Sequence, residues 1–286
     1  MSSDLRVPCA FQGGKQRVAA QIVDRLLEAA PGPDARFYDL CCGSGAVSIE
    51  LANRGISLAR IHMLDISSWG CFWSAIGSGT FKMDVFDQLL SDLPSDKRDL
   101  KAHMSVLSSL PVGHDEAELY PILQASSFGG KQIWRNGERW ANTFFRDYWE
   151  PTATSIRRSP ANPMQPSPGE LRRRVDRIVN GMRGVVCHHI DIMTVLSDPF
   201  PRNSVVYVDP PYKDTTGYAF GFDLTSFLDR FHEFNDVPLF VSEGIPLNGN
   251  ALKLSFGGAK GGISGVKKGK HQEWLNRSKA GQAASN

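Results

Sequence analysis

"FYDLCCGSGAVSIEL", residues Phe37 to Leu51, is the stretch on which the fold turns. An apolar, aromatic-rich run carries an acid, Asp39, near its end. Two glycines, Gly43 and Gly45, follow, and then apolar residues at helical spacing. The order is strand, tight loop, helix. Glycines at such a loop let the chain turn sharply and let a ligand approach the backbone at the helix N-terminus, where unpaired N–H groups collect. Taken alone, the loop fits a strand-to-helix connection without a ligand equally well. Just beyond it, "RIHMLDI" reads as a second strand ending at Asp65, the separation at which an acid reaches a ribose diol in nucleoside-binding sheets. The third glycine of the dinucleotide fingerprint is absent, with Ser48 in its place, which favours a single-nucleoside ligand over NAD.

Farther out, "RVAAQIVDRLLEAA" has helical spacing and stops before "PGP", while "GVVCHHIDI", "SVVYVD" and "VPLFVSEG" read as strands and "TSFLDRFHEF" as a helix. This alternation predicts an α/β fold, a Rossmann-like and mainly parallel sheet with helices on both faces, built from residues 1–66 and 182–286. Residues 67–181 read as an insert of polar helices, a hairpin, and "RRSPANPMQPSPGE", whose prolines exclude regular structure. In "KQIWRNGERWANTFFRDYW", Asn136-Gly137 is the strongest short-range hairpin signal, and a two-residue turn there sets Arg135 opposite Glu138 and Trp134 opposite Arg139.

Composition narrows the class. With 286 residues, 41% of them hydrophobic, the chain can bury a core without staples. Five cysteines, two adjacent as Cys41 and Cys42, offer no CxxC pair and no spacing suited to a metal, which points to a reducing setting. No basic start precedes an apolar run, and no stretch approaches membrane-spanning length, so a soluble, cytoplasmic protein is expected. Net charge is only +2, but residues 131–184 carry eleven Lys/Arg against five Asp/Glu and residues 251–286 carry seven against one. Both segments are candidates to meet a polyanion, and each also fits a solvated surface.

"SVVYVDPPYKD", Ser204 to Asp214, runs from strand formers straight into an acid and two prolines. Strand carboxyl ends are where open α/β sheets bind ligands, and the prolines fix the backbone there without adding N–H groups. Asp209 and the Pro210 carbonyl then form a pair of acceptors suited to an exocyclic amino group, with the ring of Tyr212 available to stack on the base that bears it.

Taken in order, these motifs resemble the DNA adenine methyltransferases of the Dam type. "FQGGK" (Phe11 to Lys15) is similar to the family's methionine-side motif, "DLCCGSG" to its cofactor loop, "LDIS" (Leu64 to Ser67) to its ribose-binding acid, and "DPPY" to its catalytic tetrapeptide. The family's recognition region falls between the last two, where the insert lies. The resemblance implies S-adenosylmethionine as cofactor, held by Phe11, Gly13, Gly14, Lys15, Asp39, Gly43, Gly45, Asp65, Ile66 and Asp209. Asp191, in "CHHID", falls near the cofactor adenine or simply caps a turn. It implies direct methyl transfer to adenine N6 in double-stranded DNA after base flipping, without a metal, with Asp209, Pro210, Pro211 and Tyr212 at the chemistry. A monomeric enzyme, bacterial or phage-encoded and of the restriction-modification kind, is the matching expectation. For DNA contact, Lys131, Arg135, Asn136 and Arg139 lie at or near the hairpin, and Arg172 and Arg173 on a basic helix suit phosphates. The hairpin residues do not match a GATC reader, so no target sequence is carried over. The same acceptors serve cytosine N4 or RNA adenine, and a non-catalytic DNA-binding relative would keep the sheet. The Gly/Lys loop at 257–270 is expected either to close over DNA or to be disordered.

Overall fold

Helix α1 (Ala19–Glu28) leads into strand β1 (Arg36–Leu40), and the loop after it opens helix α2 (Ala46–Asn53), followed by β2 (Ile61–Leu64). Helices α3 (Ser68–Ser78), α4 (Met83–Ser91), α5 (Leu100–Leu107) and α6 (Glu116–Ser126), the hairpin β3 (Trp134–Asn136) and β4 (Arg139–Ala141), and helix α7 (Pro168–Gly181) come before β5 (Val186–His188). The chain then adds β6 (Ser204–Val208), α8 (Leu224–Phe234), β7 (Leu239–Glu243), β8 (Leu252–Lys253) and β9 (Trp274–Ser278). This computed structural model describes residues 4–212, 220–254 and 272–278. The Gly/Lys loop lies outside the described residues.

Seven of the described strands form one sheet in the order β5-β2-β1-β6-β7-β9-β8. The run from β5 to β7 is parallel, and β9 is antiparallel to both neighbours. This is the Rossmann-like α/β sheet that the alternation predicts. Side-chain period two sorts the strand residues to opposite faces. In β6, Val205 and Tyr207 join one core with α1, α2, α3, α6 and α7, while Val206 and Val208 join another with Phe227 and Phe231 of α8. Helix α1 buries Ala19, Ile22, Val23 and Leu26, the i, i+3, i+4, i+7 stripe of an amphipathic helix. The first core is continuous from Phe37 of β1 through Trp69, Phe72 and Trp73 of α3 to Tyr120 of α6, with α3 packed on β2 and β5 and α6 packed on α3.

Two local expectations are corrected. "GVVCHHIDI" is strand only over Val186–His188, because Asp191 then accepts a hydrogen bond from the Met193 N–H at 2.9 Å and caps a short 3₁₀ turn. The hairpin is shifted by one residue: Asn136 pairs with Arg139, and Arg135 with Trp140. The turn is therefore Gly137-Glu138. Gly137 alone has a positive φ, +62°, as a type II′ turn with glycine first requires, whereas Asn-Gly at the centre would need positive φ at both positions. The shift turns Trp140 inward, 7% exposed and stacked on Tyr120 at 5.9 Å between centroids.

Candidate functional site

The strand order reverses between β1 and β6, the topological switch point at which open α/β sheets leave a crevice. A cleft of about 1340 Å³ opens there. The backbone N–H of Asp209 donates to the Leu40 carbonyl at 3.2 Å, so the ends of the two strands are stitched together at its floor.

The loop after β1 is braced from several sides. Cys41, Gly43 and Gly45 all have positive φ, at 62°, 51° and 78°. Gly45 has no alternative, since a Cβ would stand 2.3 Å from Cζ2 of Trp73. The Trp73 indole N–H donates to the Gly43 carbonyl at 2.9 Å and holds the loop in place. Asp65 locks it from β2: its Oδ2 accepts the Gly43 N–H at 2.7 Å, while Oδ1 accepts from the Ser67 backbone and hydroxyl at 2.8 and 2.6 Å. With two lone pairs per oxygen, Oδ2 keeps one for a ligand. Asp39 faces the same cleft and accepts from Ser48 N–H and Oγ–H at 3.2 and 2.7 Å. Ser48, where the fingerprint has its third glycine, thus ties strand to helix. Burial pushes the Asp39 carboxyl up to about 7, against the Ser48 bond and with help from the nearby Asp209 and Asp65 charges.

The other wall is built around Lys15. The turn that presents it is closed by the Gly14 N–H donating to the Phe11 carbonyl at 3.0 Å, and Gly13 sits in it at φ 75°. The Lys15 ammonium donates to the Gly13 carbonyl at 2.8 Å and lies 2.7 Å from Asp209 Oδ1, 3.7 Å from Glu273 Oε1 and 5.0 Å from the centre of the Tyr212 ring. The Tyr212 hydroxyl donates to Glu273 and reaches Asp209 Oδ1 at 3.5 Å. Burial raises the Asp209 carboxyl above its usual range while Lys15 draws it down, and Glu273 is raised by burial in the same way. Both Lys15 and Tyr212 occupy Oδ1, which leaves Oδ2 of Asp209 without a partner among the described residues.

Phe11, Gly13, Gly14, Lys15, Asp39, Gly43, Asp65, Ile66, Asp191, Asp209, Pro210, Pro211 and Tyr212 all line this cleft; Gly45 supports it from behind. Asp191 both borders the cleft and caps its turn. No sequence motif singles out Glu273, although it is the single acid among seven basic residues after position 250. None of the residues expected to meet DNA is among those that line the cleft, although Lys131 directly precedes Gln132, which does. Arg135 is drawn to the buried Glu116 at 3.1 Å and borders a smaller recess of about 230 Å³ beside Ile66 and Ser67. Asn136 and Arg139 are exposed at the hairpin tip, and Lys131 is exposed before β3. Arg172 makes a paired contact with Asp87 at 3.0 and 2.9 Å, and Arg173 is bonded to Glu170.

The acceptors outnumber the cations here, so the cleft suits a ligand that brings hydroxyl or amine donors and a positive charge. Among the described residues no group of His, Cys, Asp and Glu could hold a metal ion, and no helix is long and apolar enough to cross a membrane.

No protein-family model matches the chain, and no curated protein matches it. Among solved structures, the rRNA methyltransferase AviRa from Streptomyces viridochromogenes is similar over 92% of this chain and 84% of its own, at 15% identity and a TM-score of 0.39.

Proposed function

We propose that the protein is a methyltransferase that moves a methyl group from S-adenosylmethionine to N6 of an adenine in DNA. One observation carries this: Asp209 and Pro210, at the end of β6, share a single cleft with the Gly43–Gly45 loop and Asp65. Asp65, the loop backbone and Asp39 would hold the nucleoside, with Phe11 and the Gly13-Gly14 turn at its other end. When bound, the cofactor supplies an electrophilic methyl group on a sulfonium. The protein's own part is to prepare the amine. An adenine N6 lone pair is delocalised into the ring, and hydrogen bonds from the amine to Asp209 Oδ2 and the Pro210 carbonyl favour a more tetrahedral nitrogen with its lone pair turned to the methyl. Lys15 offsets part of the burial that raises the Asp209 carboxyl and fixes it through Oδ1. Tyr212, steered by Glu273, offers its ring to the extrahelical base, which must leave the stack to reach the cleft. The test is methylation of plasmid DNA, of RNA and of single strands with labelled cofactor, followed by nucleoside analysis. N6-methyladenine from DNA is expected. Label found only in cytosine or only in RNA would move the substrate assignment, and cofactor binding with no transfer to any nucleic acid would end it.

A further inference from the structure

Arg172 and Arg173, on the basic helix, are paired with acids, yet another set of arginines is not. Arg146, Arg157 and Arg158 form no ion pair among the described residues, whereas the neighbouring acids are already matched, Asp147 with Lys101 at 2.7 Å and Glu150 with the Tyr148 hydroxyl. Nη1 of Arg146 is buried without a hydrogen-bond partner. Exposed rings stand among these charges. Phe144 is 68% and Phe128 57% exposed, and Trp149 is 39%. They fall in two neighbouring groups: the Phe128 N–H donates to the Phe144 carbonyl at 2.7 Å with the Arg146 guanidinium 5.8 Å from the Phe128 ring, and Arg157 lies 5.9 Å from the ring of Trp149, three residues on from Arg146. Arg146 and Arg157 are close enough for each charge to be felt by the other. Singly exposed rings are ordinary, but three in one segment, interleaved with unneutralised guanidinium groups, are not.

We propose that this surface holds single-stranded nucleic acid beside the cleft. Every base has a face that stacks on an aromatic ring, and every linkage carries a phosphate for a guanidinium, so alternating rings and arginines fit an unpaired strand. A duplex keeps its base faces covered and offers this surface only phosphates. Position argues the same way. Phe128 is followed by Gly130, whose carbonyl accepts the Gln12 N–H at 2.8 Å, so the surface abuts the Phe11–Lys15 turn at the mouth of the cleft. A strand crossing Phe128 would arrive where the target base enters.

The full chain, without cofactor, is titrated with short labelled oligo(dT), which lacks adenine, and with a closed duplex hairpin, following anisotropy. Phe144→Ala and Trp149→Ala are expected to weaken oligo(dT) binding about tenfold or more each while leaving duplex affinity unchanged. Arg146→Ala with Arg157→Ala should lower affinity and flatten its salt dependence by about one unit for each phosphate no longer neutralised. Unchanged oligo(dT) affinity in the ring variants, an equal loss on duplex, or a wild-type self-association in sedimentation that Phe144→Ala dissolves would overturn the proposal. Thermal unfolding checks that the variants fold. None of these readouts depends on methyl transfer, so this inference and the assigned reaction can fail separately.

Discussion

The ammonium of Lys15, before α1, lies 2.7 Å from Oδ1 of Asp209, at the end of β6, and the pair is buried on the lysine side. Asp209→Asn keeps the shape and a bond to Lys15 but weakens the acceptor that prepares the amine. The rate should fall about 10²-fold or more with cofactor affinity retained. Asp209→Ala should also destabilise the fold, by less than the roughly 3–5 kcal/mol of a fully stranded buried charge, because Glu273 remains 3.7 Å from the ammonium. Single-turnover rates and denaturant unfolding of the two variants separate these effects.

Glu273 positions Tyr212 rather than touching the reacting atoms. Glu273→Gln keeps an acceptor for the tyrosine hydroxyl, and Glu273→Ala removes it. The alanine variant should lose about 10- to 100-fold in kcat, the range for a lost hydrogen bond to a charged group, with glutamine recovering most of it. Equal rates for the two variants would remove Glu273 from this role.

Asp39 gives the protein a pH dependence of known sign. Its carboxyl is raised from an ordinary 3.8 to about 7 by burial, so the folded state binds the proton more tightly than the unfolded chain does. The stabilisation it lends is full below pH about 4 and is lost as pH rises through 7, on the order of 4 kcal/mol in all. Asp39→Asn keeps an acceptor for Ser48 without the titration. Urea unfolding from pH 4 to 8 should show wild-type stability falling relative to the variant, and parallel curves would contradict it.

Two glycines with positive φ test how much of the loop's shape Trp73 enforces. At Gly137, φ 62°, a Cβ would meet nothing within 4 Å. Alanine there should cost about 1–2 kcal/mol of backbone strain. At Gly45, φ 78°, the Cβ would also run into Trp73, adding about 1–3 kcal/mol of overpacking. Equal losses in unfolding experiments would mean that the indole simply moves aside.

The legible parts of this molecule are those carried by local pattern. Short apolar runs name β1, β6 and β7, helical spacing names α1 and α8, and the proline pair marks where β6 has to stop. What escapes is set by partners distant in sequence. Nothing near Lys15 announces Asp209, and nothing in "ELRRRVDRIV" shows that Arg172 will turn to Asp87 of α4. The hairpin is found but misregistered, since one glycine next to an asparagine serves either of two turn types and only the burial of Trp140 chooses between them.

Strand β9 lies between β7 and β8, and Glu273 immediately precedes it. A polypeptide cut after Leu254 would carry the glycine loop, Lys15 and Asp209, yet would lack both the strand that covers the edge of β7 and the acid that steers Tyr212. A separate peptide beginning at Gln272 would bring both back in one docking event. Closure of the sheet edge and the steering of Tyr212 are thus entrusted to one short segment.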